Sequence, residues 1–406
     1  MHSTPNPSGV RFTGPLRPFV AGLAVELATL GYTTTSATAQ LQLAAHLSRW
    51  LESEGTGQAD LTAEVLERFL AARRHTYASL YTLRALGPIL GYLRRHGAVP
   101  ALVAPGPSSP SETLLARYRH YLVGERCLSR PVADAYTHWV TPLVEARLDA
   151  GDFGFAGLTA EDVAGFLTAH LPAMSQKSAQ MTACALRSFL RFLHEEQILQ
   201  ADLADAVPAV AHRRLSGLPQ PLGSAEVNAL LEACDRSDPV GRRDFAVITI
   251  LHRLGLRCAE TAALGLDDVD WQAGTLTIRG KGNRIDQLPL PVDVGQALVD
   301  YLRDGRPTTT ARTLFVRAAA PHTTLVPSSL SCIVARAARR AGLGTIHAHR
   351  LRHTAASRTL NAGASLEEVS HLLRHASVAT TSVYAKTDQT RLASLSRPWP
   401  ITGGLS

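Results

Sequence analysis

The sequence predicts a mostly α protein with a small antiparallel β-sheet: two helical blocks, then a mixed α and β block. Three observations predict it. Two proline-rich stretches, "ALVAPGPSSPSE" (101–112) and "VPAVAHRRLSGLPQPLG" (207–223), read as linkers and divide the chain. The blocks ahead of them carry related segments, "LTAEVLERFL" (61–70) and "LTAEDVAGFL" (158–167). Beyond them, "TLTIRGKGNRIDQLPLP" (275–291) reads as strand, turn, strand. A chain of 406 residues has room for two or three domains.

Taken in order, residues 1–16 read as a disordered, Pro/Ser-rich lead without an early apolar core, so no signal peptide is expected. Residues 17–103 make the first helical domain and 112–207 the second. "TLRALGPILGYLRR" (82–95) and "ALRSFLRFLHEE" (185–196) are counterparts in the two. In the second copy Leu186, Phe189, Leu190 and Leu193 form an apolar stripe at helical spacing. Beside it run Arg187, Arg191 and His194, either a solvated face or a helix lying against phosphates. In the first copy Pro88 is expected to kink or break the helix. The third domain spans 220–406. A helix follows Ser224 through Val227, Leu230, Leu231 and Cys234. A buried helix runs through "FAVITIL" (245–251) and ends at Gly255. Ser365 and Glu368 form a capping box.

A net charge of +7 leans toward a polyanionic partner. Of 41 basic residues only Lys177, Lys281 and Lys386 are lysine, which reads most simply as the bias of a GC-rich genome. A lysine kept against that bias suggests a task arginine cannot perform. The five cysteines are scattered with no C-x-x-C pair, which argues against a disulfide framework and a zinc ribbon and fits a reducing cytosol. No apolar run approaches the ~18 residues of a membrane span. A soluble, cytoplasmic protein is expected.

"IHAHRLRHTAASRTL" (346–360) concentrates histidine and arginine. His349 and His353 are four apart on one helix face, a spacing that would suit a metal. However, the stretch holds no acidic residue, and Arg350, Arg352 and Arg358 place permanent positive charge around any bound cation. Arg352 lies three residues from His349, so both can share a face. A guanidinium beside an imidazole suits an anion such as a phosphate. The plain alternative is a solvated helix face.

Other segments add to this one. "GLRCAE" sets Arg257 after a helix end with Glu260 three residues on. "LLRHASVATTSVYAK" sets His375 nine residues before Tyr384, and Lys281 stands on the hairpin turn. In this order the elements resemble the tyrosine recombinases, the phage integrase family, over the whole third block. The second block resembles that family's helical core-binding domain. The first is similar to an additional N-terminal DNA-binding (SAM-like) domain only through its likeness to the second. The resemblance implies that Arg257 and Arg352 clamp the scissile phosphate and that Lys281 is the hairpin lysine. It makes His349 and His375 two further site positions, Tyr384 the nucleophile, and Glu260 a residue that orients its neighbours. Lys177, Arg187, Arg191 and Arg374 are candidate DNA contacts. Two positions depart from the family: Arg374 stands where glycine is frequent, and Thr261 where leucine is usual.

The chemistry that follows is phosphodiester exchange. It gives a 3′-phosphotyrosine and a free 5′-hydroxyl, with no ATP, cofactor or metal required. The implied partners are double-stranded DNA sites, with a homotetramer on synapsed DNA acting alone or beside sister recombinases. Two helical domains ahead of the catalytic one lean toward integrase or transposase work on a mobile element. Rival readings are a non-catalytic DNA-binding regulator of the same fold, a type IB topoisomerase, a telomere resolvase, or a metal-dependent nuclease using "LDDVDW" (266–271).

Overall fold

The structure is a computed structural model that describes residues 9–100, 109–148, 154–210, 221–280 and 284–374. It divides into two compact units. One joins residues 1–101 to 217–406, and the other is 102–216. The sequence suggested three separate domains. The first and third blocks fall in the same compact unit.

The first block comprises α1 (Val20–Thr29), α2 (Thr34–Ser53), α3 (Ala63–Arg74) and α4 (Leu83–Arg95). Thr33, Thr62 and Thr82 cap α2, α3 and α4, each hydroxyl accepting an otherwise orphaned backbone N–H. Pro88 does not break α4. It lies in the second turn, where the ring removes one N–H, and Leu86, Ile89, Leu90 and Leu93 bury the helix face on both sides of it. The block meets the third through a close approach at Gly31, which has φ +82°. A Cβ there would fall 2.1 Å from His322 Cδ2, and the His322 N–H donates to the Leu30 carbonyl at 3.3 Å.

The second unit holds α5 (Pro110–Gly124), α6 (Arg130–Leu148), α7 (Ala160–His170) and α8 (Gln176–Glu195). The first linker was drawn too long at its C-terminal end. Ser109 caps α5 and Pro110 occupies its first position, where a missing N–H costs nothing. The repeat between blocks is a shared helix start. Leu61 with Leu66 and Leu158 with Val163 are buried on either side of the capping threonines Thr62 and Thr159, the spacing of a hydrophobic staple. The predicted stripe of α8, Leu186, Phe189, Leu190 and Leu193, is buried against Tyr118 and Phe155.

The third block contains α9 (Ser224–Glu232), α10 (Pro239–Leu254), α11 (Cys258–Ala263), β1 (Val269–Asp270), β2 (Thr275–Arg279), β3 (Ile285–Pro289), α12 (Val292–Asp304), α13 (Pro327–Arg340), α14 (Ala348–Asn361) and α15 (Leu366–Leu373). The three strands form one antiparallel sheet in the order β1-β2-β3, with Thr275 opposite Pro289 and Arg279 opposite Ile285. Cys234 lies past the end of α9 yet is buried. α10 is buried on nearly every side, which is why its sequence shows a continuous apolar run. Gly255 ends it in the left-handed conformation, φ 57° and ψ 30°.

Candidate active site

Three segments are joined by hydrogen bonds at the end of α10. The first is the turn after Gly255. Arg257 precedes α11, and its backbone N–H donates to Glu260 Oε2 at 2.8 Å, so the carboxylate caps the helix. Arg257 Nη1 reaches Glu260 Oε1 at 2.6 Å, with the arginine side chain 42% exposed and the glutamate 4%. One end of this pair is therefore fixed in the interior and the other opens to solvent.

The second is the middle of α14. Arg352 is 1% exposed and is among the largest fully buried side chains of the described residues. Its Nη1 donates to the Gly255 carbonyl and its Nη2 to the Leu373 carbonyl. Those oxygens belong to helix ends, where carbonyls lack intrahelical partners. Arg352 thus ties the ends of α10 and α15 to α14.

The third is the end of α15. The Ser365–Glu368 capping box starts this helix as predicted. Arg374 ends it with φ 52° and ψ 48°. The Arg374 side chain turns inward, its Nη2 2.7 Å from Glu260 Oε2 and its Nη1 2.9 Å from the Leu372 carbonyl. Arg374 is buried and paired, not an exposed arm for DNA. The only signal for this in the sequence was a long side chain at a position where glycine is frequent.

Arg257 and Arg374 therefore share Glu260, two positive charges on one carboxylate, while Arg352 holds the two helix ends beside them. Burial pushes the Glu260 carboxyl up. The Arg257 N–H, the Arg374 charge and the two guanidinium hydrogen bonds outweigh it and hold the carboxyl below its usual range.

The arginines of 346–360 point in three directions. Only Arg352 reaches the helix ends at Gly255 and Leu373. Arg350 lies 3.8 Å from Glu226, and Arg358 pairs with His252 Nε2. His349 is exposed and packs edge-on against His353, ring centroids 4.4 Å apart. Burial, then His349 and Arg352, push the His353 imidazole down to about 4. Among the described residues, no three His, Cys, Asp or Glu side chains converge as a metal site would need. The acidic run 266–271 is committed to structure. Asp267 pairs with Arg312, Asp268 with Arg279 and the Gly265 N–H, and Asp270 accepts the N–H groups of Gln272 and Ala273.

Lys281, His375 and Tyr384 lie outside the described residues. The hairpin that carries Lys281 is closed by the Gly280 N–H donating to the Arg284 carbonyl at 2.7 Å. Of the candidate DNA contacts on α8, Lys177 and Arg191 are exposed. Arg187 is engaged locally, donating to the carbonyls of Val207 and Pro208 at 3.3 and 2.9 Å.

Residues 220–391 match the phage integrase family. The Sinorhizobium fredii protein y4rA, whose name describes it as an integrase/recombinase, is 38% identical over 392 residues, 95% of either chain. The tyrosine recombinase XerC of Alcanivorax borkumensis is 32% identical over 284 residues, 67% of this chain and 89% of that one. The chain belongs to the tyrosine recombinase family. Two solved structures show the same fold. XerH site-specific recombinase on a palindromic difH substrate matches 81% of this recombinase and 93% of its own chain, with a TM-score of 0.56 and 19% identity. A lambda integrase tetramer bound to a Holliday junction matches 73% of this recombinase and 84% of its own chain, with a TM-score of 0.54 and 18% identity. As a tyrosine recombinase, this protein is a DNA strand transferase of site-specific recombination.

Proposed function

We propose that Tyr384 attacks the scissile phosphate of a double-stranded DNA site. The phenol oxygen bonds to phosphorus, the bond to the 5′ oxygen breaks, and the products are a 3′-phosphotyrosine and a free 5′-hydroxyl. The 5′-hydroxyl of a partner strand then attacks the phosphotyrosine, restoring a phosphodiester and releasing Tyr384. One phosphodiester replaces another at each step, so no ATP is consumed.

The observation that carries this reading is the pairing of Arg257 and Arg374 with the one Glu260 carboxylate, beside the Gly255 and Leu373 carbonyls that Arg352 holds. Two guanidinium groups on one carboxylate leave a positive charge over. A phosphodiester carries one negative charge and its transition state approaches two. Fixed cations held in a partly dry site stabilise that added charge without reorganising. Arg257, exposed at one end and anchored at the other, is placed to take a non-bridging oxygen. Arg352, fixed by its bonds to the Gly255 and Leu373 carbonyls, takes the second.

The remaining steps move protons. A tyrosine phenol titrates near ~10 and must lose its proton as it attacks. His349, exposed and one turn before Arg352 on α14, is the base, and the acid of the return step. Lys281 protonates the leaving 5′ oxygen, a task for which arginine is too weak an acid. His375 hydrogen-bonds the phosphate, and Glu260 orients Arg257. Lys177, Arg187 and Arg191 lie against the DNA backbone. The working assembly is a homotetramer on two DNA sites in the cytoplasm, alone or with sister recombinases. Solved neighbours on DNA support the DNA partner and the assembly. No helix among the described residues is long and apolar enough to cross a membrane.

A plasmid bearing the gene in its native DNA context, incubated with purified protein in the presence of a chelator, tests this. Joined recombinant junctions detected by sequencing support it. Junctions that form equally with Tyr384→Phe would rule it out.

A further inference from the structure

We propose that Arg374 is a positioning residue for strand cleavage: it holds the Glu260 carboxylate so that Arg257 presents its guanidinium, uncancelled, to the scissile phosphate. The proposal rests on the reading of the site given above.

The first argument is conformational. Residue 374 has φ 52°, the region that L side chains enter at a steric cost and glycine enters freely. Backbone geometry alone would favour glycine. An arginine held there, with 3% of its side chain exposed, is retained by what its guanidinium meets. Its Nε has no hydrogen-bond partner among the described residues, a further cost of that placement.

The second argument is geometric. Arg257 alone would give Glu260 two bonds, from its own backbone N–H and its own Nη1. Both come from a residue three positions away on a six-residue helix, so carboxylate and arginine could swing together. Arg374 adds a bond from another helix end, 114 residues distant, at 2.7 Å. That contact pins Oε2, which the Arg257 N–H also uses.

The third argument is electrostatic. A carboxylate bound only to Arg257 would cancel the charge that the phosphate needs. Shared with Arg374, its negative charge is already matched, and Arg257 keeps its own for the substrate. Arg374 does this without touching DNA. Its loss should therefore spare binding, which depends on phosphate contacts over a wide surface, and slow the chemical step.

The test uses the full-length protein as wild type, Arg374→Gly and Arg374→Met. Glycine relaxes the left-handed backbone while methionine keeps it, so a shared loss reports the guanidinium and not the fold. The DNA probe is the chromosomal fragment that wild-type protein carries through denaturing purification. Two quantities are read on it: the affinity, and the rate of covalent attachment at saturating DNA. Both variants should lose on the order of 100-fold in rate, the scale of a small misplacement of a catalytic group. Affinity should change less than about threefold, because the phosphate-contacting surface is intact. Hydrogen exchange at the Arg257 amide, which reads the Glu260 contact directly, should accelerate in both. Wild-type rates in either variant would overturn the proposal, as would an unchanged Arg257 amide. If wild type carries no DNA, the reading of the site fails. The Arg257 amide still reports whether Arg374 holds Glu260.

Discussion

Arg352 and Gly255 are joined across 97 residues of sequence by one hydrogen bond, from the guanidinium to a helix-end carbonyl. The same guanidinium takes the Leu373 carbonyl at the end of α15. The turn that leads into Arg257 and the turn that leads into His375 are therefore both set by a single side chain on α14.

Replacing Arg352 by alanine should leave both carbonyls buried and unmet. Each such loss costs about 1–3 kcal/mol. A total of about 3 kcal/mol corresponds to a drop of roughly 5 °C in melting temperature for a unit of this size. Calorimetry measures it. A melting temperature within a degree or so of wild type would mean the two bonds contribute nothing to folding.

Gly255→Ala tests the same junction from the opposite side. A Cβ would lie 2.9 Å from Leu373 Cδ2 and 3.4 Å from Ala355 Cβ, on a residue with φ +57°. The left-handed backbone alone costs about 1–2 kcal/mol. Denaturant titration should show a loss of at least that size. The rate of covalent attachment to DNA should also fall, because the Arg257 turn moves. An alanine variant as stable and as fast as wild type would contradict the packing described.

Stability should decline as pH falls from about 6.5 toward 4. Two histidines drive it. Burial, then Arg358 and Arg253 against a weaker pull from Asp293, push His252 down to about 4 from an ordinary 6.5. His353 is pushed as low by burial, His349 and Arg352. Between these values the unfolded chain binds protons that the folded chain does not, so acid favours unfolding. The contribution is intact above 6.5 and lost on approach to 4. For buried His252 the difference amounts to roughly 3 kcal/mol. Melting curves across this range should flatten when both histidines are changed to glutamine. An unchanged slope would show that other groups set it.

Lys281→Arg keeps the charge and removes the acid. DNA affinity should be retained, while cleavage slows by on the order of 100-fold to 10,000-fold, the range for a lost general acid. The rate on the wild-type DNA probe decides it. An arginine variant as fast as wild type would remove Lys281 from the proton transfer.

Much of this was legible in the sequence, because the signals were local. The α8 stripe, the hairpin, the Gly255 helix end and the Ser365–Glu368 cap each depend on spacing within a few residues. The failures came where tertiary contacts decide. Pro88 looked like a break, but flanking leucines buried on both sides carry α4 through it. Pro110 looked like linker, but behind the Ser109 cap it is a helix start. Arg350, Arg352 and Arg358 looked like one cluster. The helical turn sends them to Glu226, to the helix-end carbonyls and to His252. Arg374 looked like a DNA contact, since its partner Glu260 is a long-range contact that no periodicity reveals. The packing of the first block on the third is of the same kind. Gly31 and His322 approach closely there and share no sequence pattern.

The central claim is that Tyr384 becomes covalently bonded to DNA. Tagged wild-type and Tyr384→Phe protein, expressed where the gene has its native DNA context, would be purified under denaturing conditions with chelator present. DNA still attached would then be sequenced. The account predicts DNA joined to wild type through its 3′ end, none on the phenylalanine variant, and a common junction that defines the site. Wild-type protein free of DNA after denaturation, while native purification recovers bound DNA, would contradict it and point to a DNA-binding protein without strand cleavage.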